Sequence, residues 1–139
     1  MRYLLDTNIL IFLLLSESDN LSMETNEILN DHGNQLVTST VSVMEIVQLY
    51  KIRKIKTKKY KNAIELIDAI ENEFFIKILP FTKEHTQTLS KLKIPATHND
   101  PFDHSIIAHA ITEKLILVSS DRKFKDYVSQ RLLFSFNKR

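Results

Sequence analysis

The chain has no cysteine, only one glycine among 139 residues, and no run of about 18 apolar residues that could span a bilayer. Without cysteine there are no disulfide scaffolds, thiolate metal sites or cysteine nucleophiles. A single glycine cannot build the phosphate-cradling loops G-x-G-x-x-G or G-x-x-x-x-G-K, which removes P-loop nucleotide hydrolases and dinucleotide oxidoreductases. No G-x-S-x-G elbow occurs either. The apolar run Ile9–Leu15 could pass for a short secretory core, but Asp6, Thr7 and Asn8 occupy the place of its basic flank and no small-residue cleavage site follows. No membrane association and a cytoplasmic location are expected. His32, His85, His98, His104 and His109 show no zinc-binding helical spacing. His98, near Asp100, could help position a phosphate or water, but reads first as a solvated loop histidine.

What is present suits a globular chain. Hydrophobic residues make up 43%, and one domain over residues 1–139 would bury roughly 65–70% of its unfolded surface. The net charge of +2 is unevenly spread. Residues 51–61 (KIRKIKTKKYK) carry seven of the 19 basic residues and no acid, so the remainder holds 12 basic against 17 acidic residues, or −5. A basic knob on an acidic body suits a polyanion, with nucleic acid first. The structural alternative is a solvated connection between helices.

Short strand-like runs alternate with helical periodicity. Strands are expected at Arg2 to Leu5, Leu36 to Thr38, Phe74 to Leu79, Leu115 to Ser119 and Leu132 to Phe136. Helices are expected from Ile9 to Leu15, Leu21 to Asn30, about Val41 to Arg53, about Lys59 to Asn72, Thr82 to about Lys93, and Pro101 to Thr112. Strands separated by helices imply crossover connections, hence a mostly parallel sheet covered on both faces.

Acidic residues stand where these elements end or begin: Asp6 after the first strand, Asp121 after the fourth, Glu45 within a helix, and Asp103 at the head of one with Asp100 beside it. The ends of parallel strands converge on one crevice, and carboxylates gathered there repel unless a hard divalent cation such as Mg²⁺ or Mn²⁺ neutralises them. Each has a structural alternative. Asp100 before Pro101 is a standard helix opening, Ser42 to Glu45 fits an S-x-x-E capping box, and Asp6 and Asp121 could cap the next helix. Asp103 heads the apolar stripe Ile106, Ile107, Ala110, Ile111 and so belongs to the inward face.

The segments YLLDTNIL (residues 3–10), STVSVME (39–45), HNDPFDHSIIAHA (98–110) and LVSSD (117–121) together resemble the successive motifs of the PIN-domain family, in particular its VapC-type toxins of bacterial toxin–antitoxin modules. The resemblance spans nearly the whole chain, in motif order. It implies a five-stranded parallel sheet between helices and an acidic pocket that binds Mg²⁺ or Mn²⁺ and cleaves RNA. It implies that Asp6, Glu45, Asp103 and Asp121 are the four catalytic acids and metal ligands, that Asp100 is an additional acid, and that Thr7 and Asn8 are the polar pair after the first. His104 stands where many members carry arginine. The resemblance further implies a homodimer and a small antitoxin partner. Lys54, Lys58 and Lys59, with Arg122, Lys123 and Lys125 beside Asp121, are candidates for holding the RNA backbone. Two other classes compete. A haloacid-dehalogenase-type phosphatase also uses a strand-end Asp, but wants a second acid where this chain has Asn8. A non-catalytic RNA-binding or partner-binding module explains the basic knob but leaves the inward carboxylates costly.

Overall fold

The computed structural model describes residues 1–138. In chain order it contains β1 (Arg2–Leu5), α1 (Thr7–Leu14), a 3₁₀ turn (Ser18–Asn20), α2 (Met23–Asn30), β2 (Gln35–Ser39), α3 (Thr40–Lys51), α4 (Ala63–Asn72) and β3 (Lys77–Leu79). Then follow α5 (Lys83–Lys91), α6 (Pro101–Glu113), β4 (Ile116–Ser119), a 3₁₀ helix (Arg122–Gln130) and β5 (Leu133–Phe136). The five strands form one sheet in the order β3-β2-β1-β4-β5, and every pairing is parallel. The expected α/β architecture is therefore present. Among the described residues no helix is long and apolar enough to cross a membrane.

Each face of the sheet is covered because alternate strand residues point to opposite sides. Leu5, Tyr3 and Val118 join Ile9, Leu10, Ile46, Leu66 and Ile70 in one core. Leu4, Val37 and Leu117 join Ile106, Ile107, Phe124 and Tyr127 in the other. α3 serves both, with Val41 in the second core and Val43 and Ile46 in the first.

Three expectations need correction. The helix expected from Lys59 starts at Ala63, because Asn62 takes the capping position and accepts from the Glu65 N–H; the basic run before it is irregular. The third strand is only Lys77–Leu79, because Phe75 adopts φ 55° and breaks extended geometry ahead of it. The segment after Asp121 is a 3₁₀ helix that apolar periodicity of 3.6 did not show. In 3₁₀ geometry residues three apart eclipse, which is why Phe124 and Tyr127 both turn inward and are fully buried.

Histidines do structural work here. His85 Nδ1 accepts from the Thr82 N–H (2.8 Å) and His85 Nε2 donates to Glu113 (2.7 Å), tying α5 to α6. A ring that accepts at Nδ1 is neutral. His109 stacks on it at 4.0 Å between ring centroids, and burial pushes its pKa down to about 4.

Asn137, just past β5, is buried and pins the chain end. Its backbone N–H donates to Ser119 O (2.8 Å), its side-chain oxygen accepts from Ser22 N–H (2.7 Å), and its amide nitrogen donates to Asn20 O and Ser120 Oγ (2.7 Å each). Asn137→Ala should destabilise the fold by about 1–3 kcal/mol, because Asn20, Ser22 and Ser120 lose the side chain that pairs with them. Denaturant unfolding of the purified variant checks this; a midpoint equal to the parent's would show that water replaces those bonds without cost.

Candidate active site

The chain builds β1, β2 and β3 outward in one direction, then crosses to place β4 and β5 on the other side of β1. The boundary between β1 and β4 is thus the topological switch point, where a crevice opens beyond the strand ends. Asp6 ends β1 and its N–H donates to Val118 O across that boundary (3.0 Å). Asp121 follows β4. Glu45 arrives from the second turn of α3 and Asp103 from the first turn of α6. Asp6, Thr7, Asn8, Glu45, Asp100, Asp103 and Asp121, with the apolar Ile11 and Leu49, line one cavity of about 190 Å³. Every acid proposed from the sequence reaches it.

Capping and pocket lining are not exclusive. One oxygen of Asp6 accepts from the Thr7 N–H (2.8 Å) and so caps α1. Asp121 caps the 3₁₀ helix through the Lys123 N–H (2.9 Å). Asp100 caps α6 through the Phe102 N–H (2.9 Å), with Pro101 next in the helix. The second oxygens of Asp100 and Asp121 make no further protein hydrogen bond among the described residues, whereas that of Asp6 is engaged. Glu45 is different: α3 is capped by Ser39, so Ser42 and Glu45 lie inside the helix and form no capping box. Glu45 is instead held by Thr7, whose hydroxyl donates to Oε1 (2.6 Å).

Further side chains fix the acids, and of these the sequence had singled out Asn8 but not Ser119 or Tyr127. Ser119, the last residue of β4, donates to Asp6 Oδ2 (2.6 Å), and Asn8 donates to the same oxygen (3.1 Å). Asn8 also accepts from the Ser120 N–H (3.2 Å), stitching β1 to β4. His98 is not solvated but 2% exposed, lying between Tyr127 OH (2.6 Å at Nδ1) and Asp103 Oδ2 (3.0 Å at Nε2). Burial lowers the His98 pKa, so we assign a neutral ring whose Nε2–H donates to Asp103 while Nδ1 accepts from Tyr127, rather than an ion pair. His104 turns away from the pocket and donates to the His98 carbonyl (2.8 Å). Ser119 stood within a recognisable motif, but nothing in its type marked it. The 3₁₀ register that brings Tyr127 to His98 had no sequence signal.

The electrostatics follow from burial. The Asp6 carboxyl is pushed up to about 7, chiefly by desolvation, against the hydrogen bond from Ser119 and with the help of the Asp103 charge. Asp103 is likewise pushed up to about 7 by desolvation and then by Asp100, Asp121 and Glu45. Glu45 is raised by the same cause. No lysine or arginine lines the cavity among the described residues. Five carboxyl groups without a counter-charge, all oxygen donors, fit a hard divalent cation. Ligand atoms of His98, Asp103 and Asp121 lie within 4.8 Å of one another, but both His98 nitrogens are engaged by Tyr127 and Asp103, which leaves the carboxylates as the donors.

The basic candidates lie outside the cavity. Arg122 and Lys123 are exposed beside Asp121, and the Lys123 charge is felt by Asp103. Lys54 and Lys58 are exposed in the irregular run after α3, and Lys59 is engaged by Glu73 at 2.7 Å.

A family model described as PIN domain matches residues 3–129. Among solved structures, the chain is similar to one in the crystal structure of VapBC2 from Rickettsia felis bound to a DNA fragment from their promoter, with 24% identity, a TM-score of 0.71, and coverage of 99% of this chain and 100% of that one. It is also similar to a chain of VapBC-1 from nontypeable Haemophilus influenzae (20% identity, TM-score 0.68, 100% of both chains). A third likeness is to VapBC-5 of Mycobacterium tuberculosis, a member of the VapBC family of toxin–antitoxin systems (14% identity, TM-score 0.58, 99% of this chain and 98% of that one). At these identities the likeness is one of fold. Curated proteins contain no match.

Protons and a cation compete for the same carboxyls, which fixes the sign of a pH effect. Between about pH 4 and 7 the folded protein holds more protons on Asp6 and Asp103 than the unfolded chain does. Their protonated forms therefore stabilise the metal-free fold at low pH, and that contribution is lost as pH rises through about 7. Mn²⁺ should then raise the melting temperature more at pH 8 than at pH 5, and the difference should shrink in Asp103→Asn. Thermal unfolding with Mn²⁺ and with EDTA at both pH values checks this. Equal metal-induced shifts at the two pH values would place the cation elsewhere.

Proposed function

This chain belongs to the PIN domain family, and from that premise we propose that it is a metal-dependent endoribonuclease that hydrolyses RNA phosphodiester bonds in the acidic pocket, acting as the toxin of a toxin–antitoxin pair. The observation that carries the reading is the convergence of Asp6, Glu45, Asp103 and Asp121 on one small cavity that, among the described residues, no lysine or arginine lines. On this reading residues 1–139 act as one nuclease domain in the cytoplasm.

Asp6 and Asp103 would hold Mg²⁺ or Mn²⁺, with Glu45 and Asp121 completing the oxygen shell and Asp100 contributing charge from the rim. The cation, when bound, supplies a water of lowered pKa and neutralises charge on the scissile phosphate. The protein's own part is positioning. Ser119 and Asn8 hold one oxygen of Asp6, Thr7 holds Glu45, and the Tyr127–His98 pair holds Asp103. Side chains locked in this way need no reorganisation when charge develops. Burial that lifts the Asp6 and Asp103 carboxyls to about 7 also strengthens their pull on a divalent charge, because the dielectric around them is low.

A small antitoxin protein is the expected partner, since the similar folds include a member of the VapBC family of toxin–antitoxin systems, and a homodimer is the expected assembly. A haloacid-type phosphatase is disfavoured: Asn8, where the second acid would stand, spends its side chain joining β1 to β4. A binding module without catalysis would leave the buried acids as an uncompensated cost.

Asp6→Asn and Asp103→Asn should each abolish metal-dependent cleavage of RNA while leaving the fold intact, because each removes ligand charge at nearly constant volume. Asp100→Asn should cost less activity and mainly weaken the α6 cap, by on the order of 1 kcal/mol or less. Cleavage of total RNA, followed by mapping of new 5′ ends, reads all three. An inactive Asp100→Asn beside a fully active Asp103→Asn would reverse the assignment of the third acid.

The basic run offers phosphate contacts without base recognition. Replacing Lys54, Lys58 and Lys59 together by Gln should weaken RNA binding and flatten its log–log salt slope by up to roughly two units, leaving the cleaved sequence unchanged. Lys59 is tied to Glu73, so Lys54 and Lys58 should account for most of the change. Parent-like affinity and slope would assign the run to the antitoxin or to solubility.

A further inference from the structure

A second cleft opens on the far side of Asp121. It has a volume of about 530 Å³ and is lined by Arg122, Lys125, Val128, Phe134, Phe136 and Lys138. Three of the six are cations and none is acidic. The floor is aromatic. Phe134 packs edge-on against buried Phe124 at 6.2 Å between centroids and continues to Phe136 at 6.2 Å, and the Arg122 guanidinium lies over the Phe136 ring at 5.5 Å. Val128 is 49% exposed. Apolar rings left half open among cations cost hydration energy, and nothing in the nuclease pocket requires them.

The position of this cleft is fixed by the sheet. β5 is an edge strand, and Phe136 sits in register beside Ser119 of β4. Ser119 is the residue that donates to Asp6. Arg122 directly follows Asp121, which lines the acidic cavity. The cleft and the carboxylates are therefore neighbours along the C-terminal edge of the sheet, separated by the end of one strand.

A positively charged groove with aromatic rings is the arrangement that holds single-stranded nucleic acid, the cations tracking phosphates and the rings stacking bases. We propose that this cleft is a subsite of the RNA path, in which an unpaired base stacks on Phe136 and the phosphates beside it meet Arg122, Lys125 and Lys138. The inference rests on the nuclease reading, and it specifies single-stranded substrate next to the cut. Charge decides against the other candidate occupant, a peptide strand added to β5: three cations and no acid suit a polyanion better than a protein edge. Stacking tolerates any base, so the subsite selects unpaired RNA and not a sequence.

Binding tests this in the Asp6→Asn background, which keeps the substrate whole. The probes are a short unstructured oligoribonucleotide and an abasic oligomer with the same number of phosphates. Phe136→Leu keeps an apolar side chain in β5 but removes the π face, and should weaken binding of the base-bearing oligomer by about tenfold without affecting the abasic one. Replacing Arg122 and Lys125 by Gln should weaken both oligomers alike. The chain contains no tryptophan, so Phe136→Trp supplies a lone reporter. Its fluorescence should be quenched by the base-bearing oligomer and not by the abasic one, with affinity restored. Equal losses on both oligomers for Phe136→Leu, or none on either, overturn the subsite while RNA cleavage by the parent leaves the nuclease reading standing. A Phe136→Leu protein with parent RNA affinity that no longer binds a protein partner would assign the cleft to protein docking. A parent that neither binds nor cleaves RNA would overturn both.

Discussion

Asp6 is 3% exposed and belongs to a group of carboxyls whose cavity no lysine or arginine lines among the described residues, and the rest of the molecule is organised around the cost of that placement. Charge is expensive in a low dielectric unless paired and hydrogen-bonded. Here the hydrogen bonds come from the protein: a backbone N–H, a serine hydroxyl and an asparagine amide all donate to Asp6. The pairing is left undone. Burial first, and the neighbouring acids after it, lift Asp6 and Asp103 to about 7, a condition that a divalent cation relieves.

That cost is tolerated because the scaffold around it is rigid. Parallel strands buried on both faces bring β1 and β4 together with their ends aligned, and α3 and α6 start at the same edge. Second contacts then hold the acids in place: Thr7 on Glu45, and the Tyr127–His98 pair on Asp103. The same edge carries the aromatic and cationic cleft around Phe136. The acidic cavity and the aromatic, cationic cleft thus lie side by side along one strand end.

Much of this was legible from residue pattern. The alternation of short apolar runs with helical stripes led to the parallel sheet. The position of Asp6 and Asp121 just past strand ends, and of Asp103 at the head of an inward stripe, led to the pocket. Capping obscured the reading without defeating it, because a carboxyl group has two oxygens: Asp6, Asp100 and Asp121 each cap a helix with one and line the cavity as well. The histidines were read too lightly. His98 looked like a loop residue because its partners, Tyr127 and Asp103, are brought to it only by tertiary packing.

The sequence by itself determined the strand and helix alternation, the acids at element ends and the charge split between residues 51–61 and the rest. These properties are local: periodicity, capping chemistry and composition act within a few residues of each other. Only the tertiary structure decided which hydroxyls and rings hold the acids, how far burial raises their pKa values, and that Phe136 stands one strand from Ser119. Those depend on contacts between residues far apart in the chain, such as the pairing of Ser119 with Asp6 across 113 positions. Hydrogen-bond geometry and desolvation exist only once the two cores have closed around the sheet.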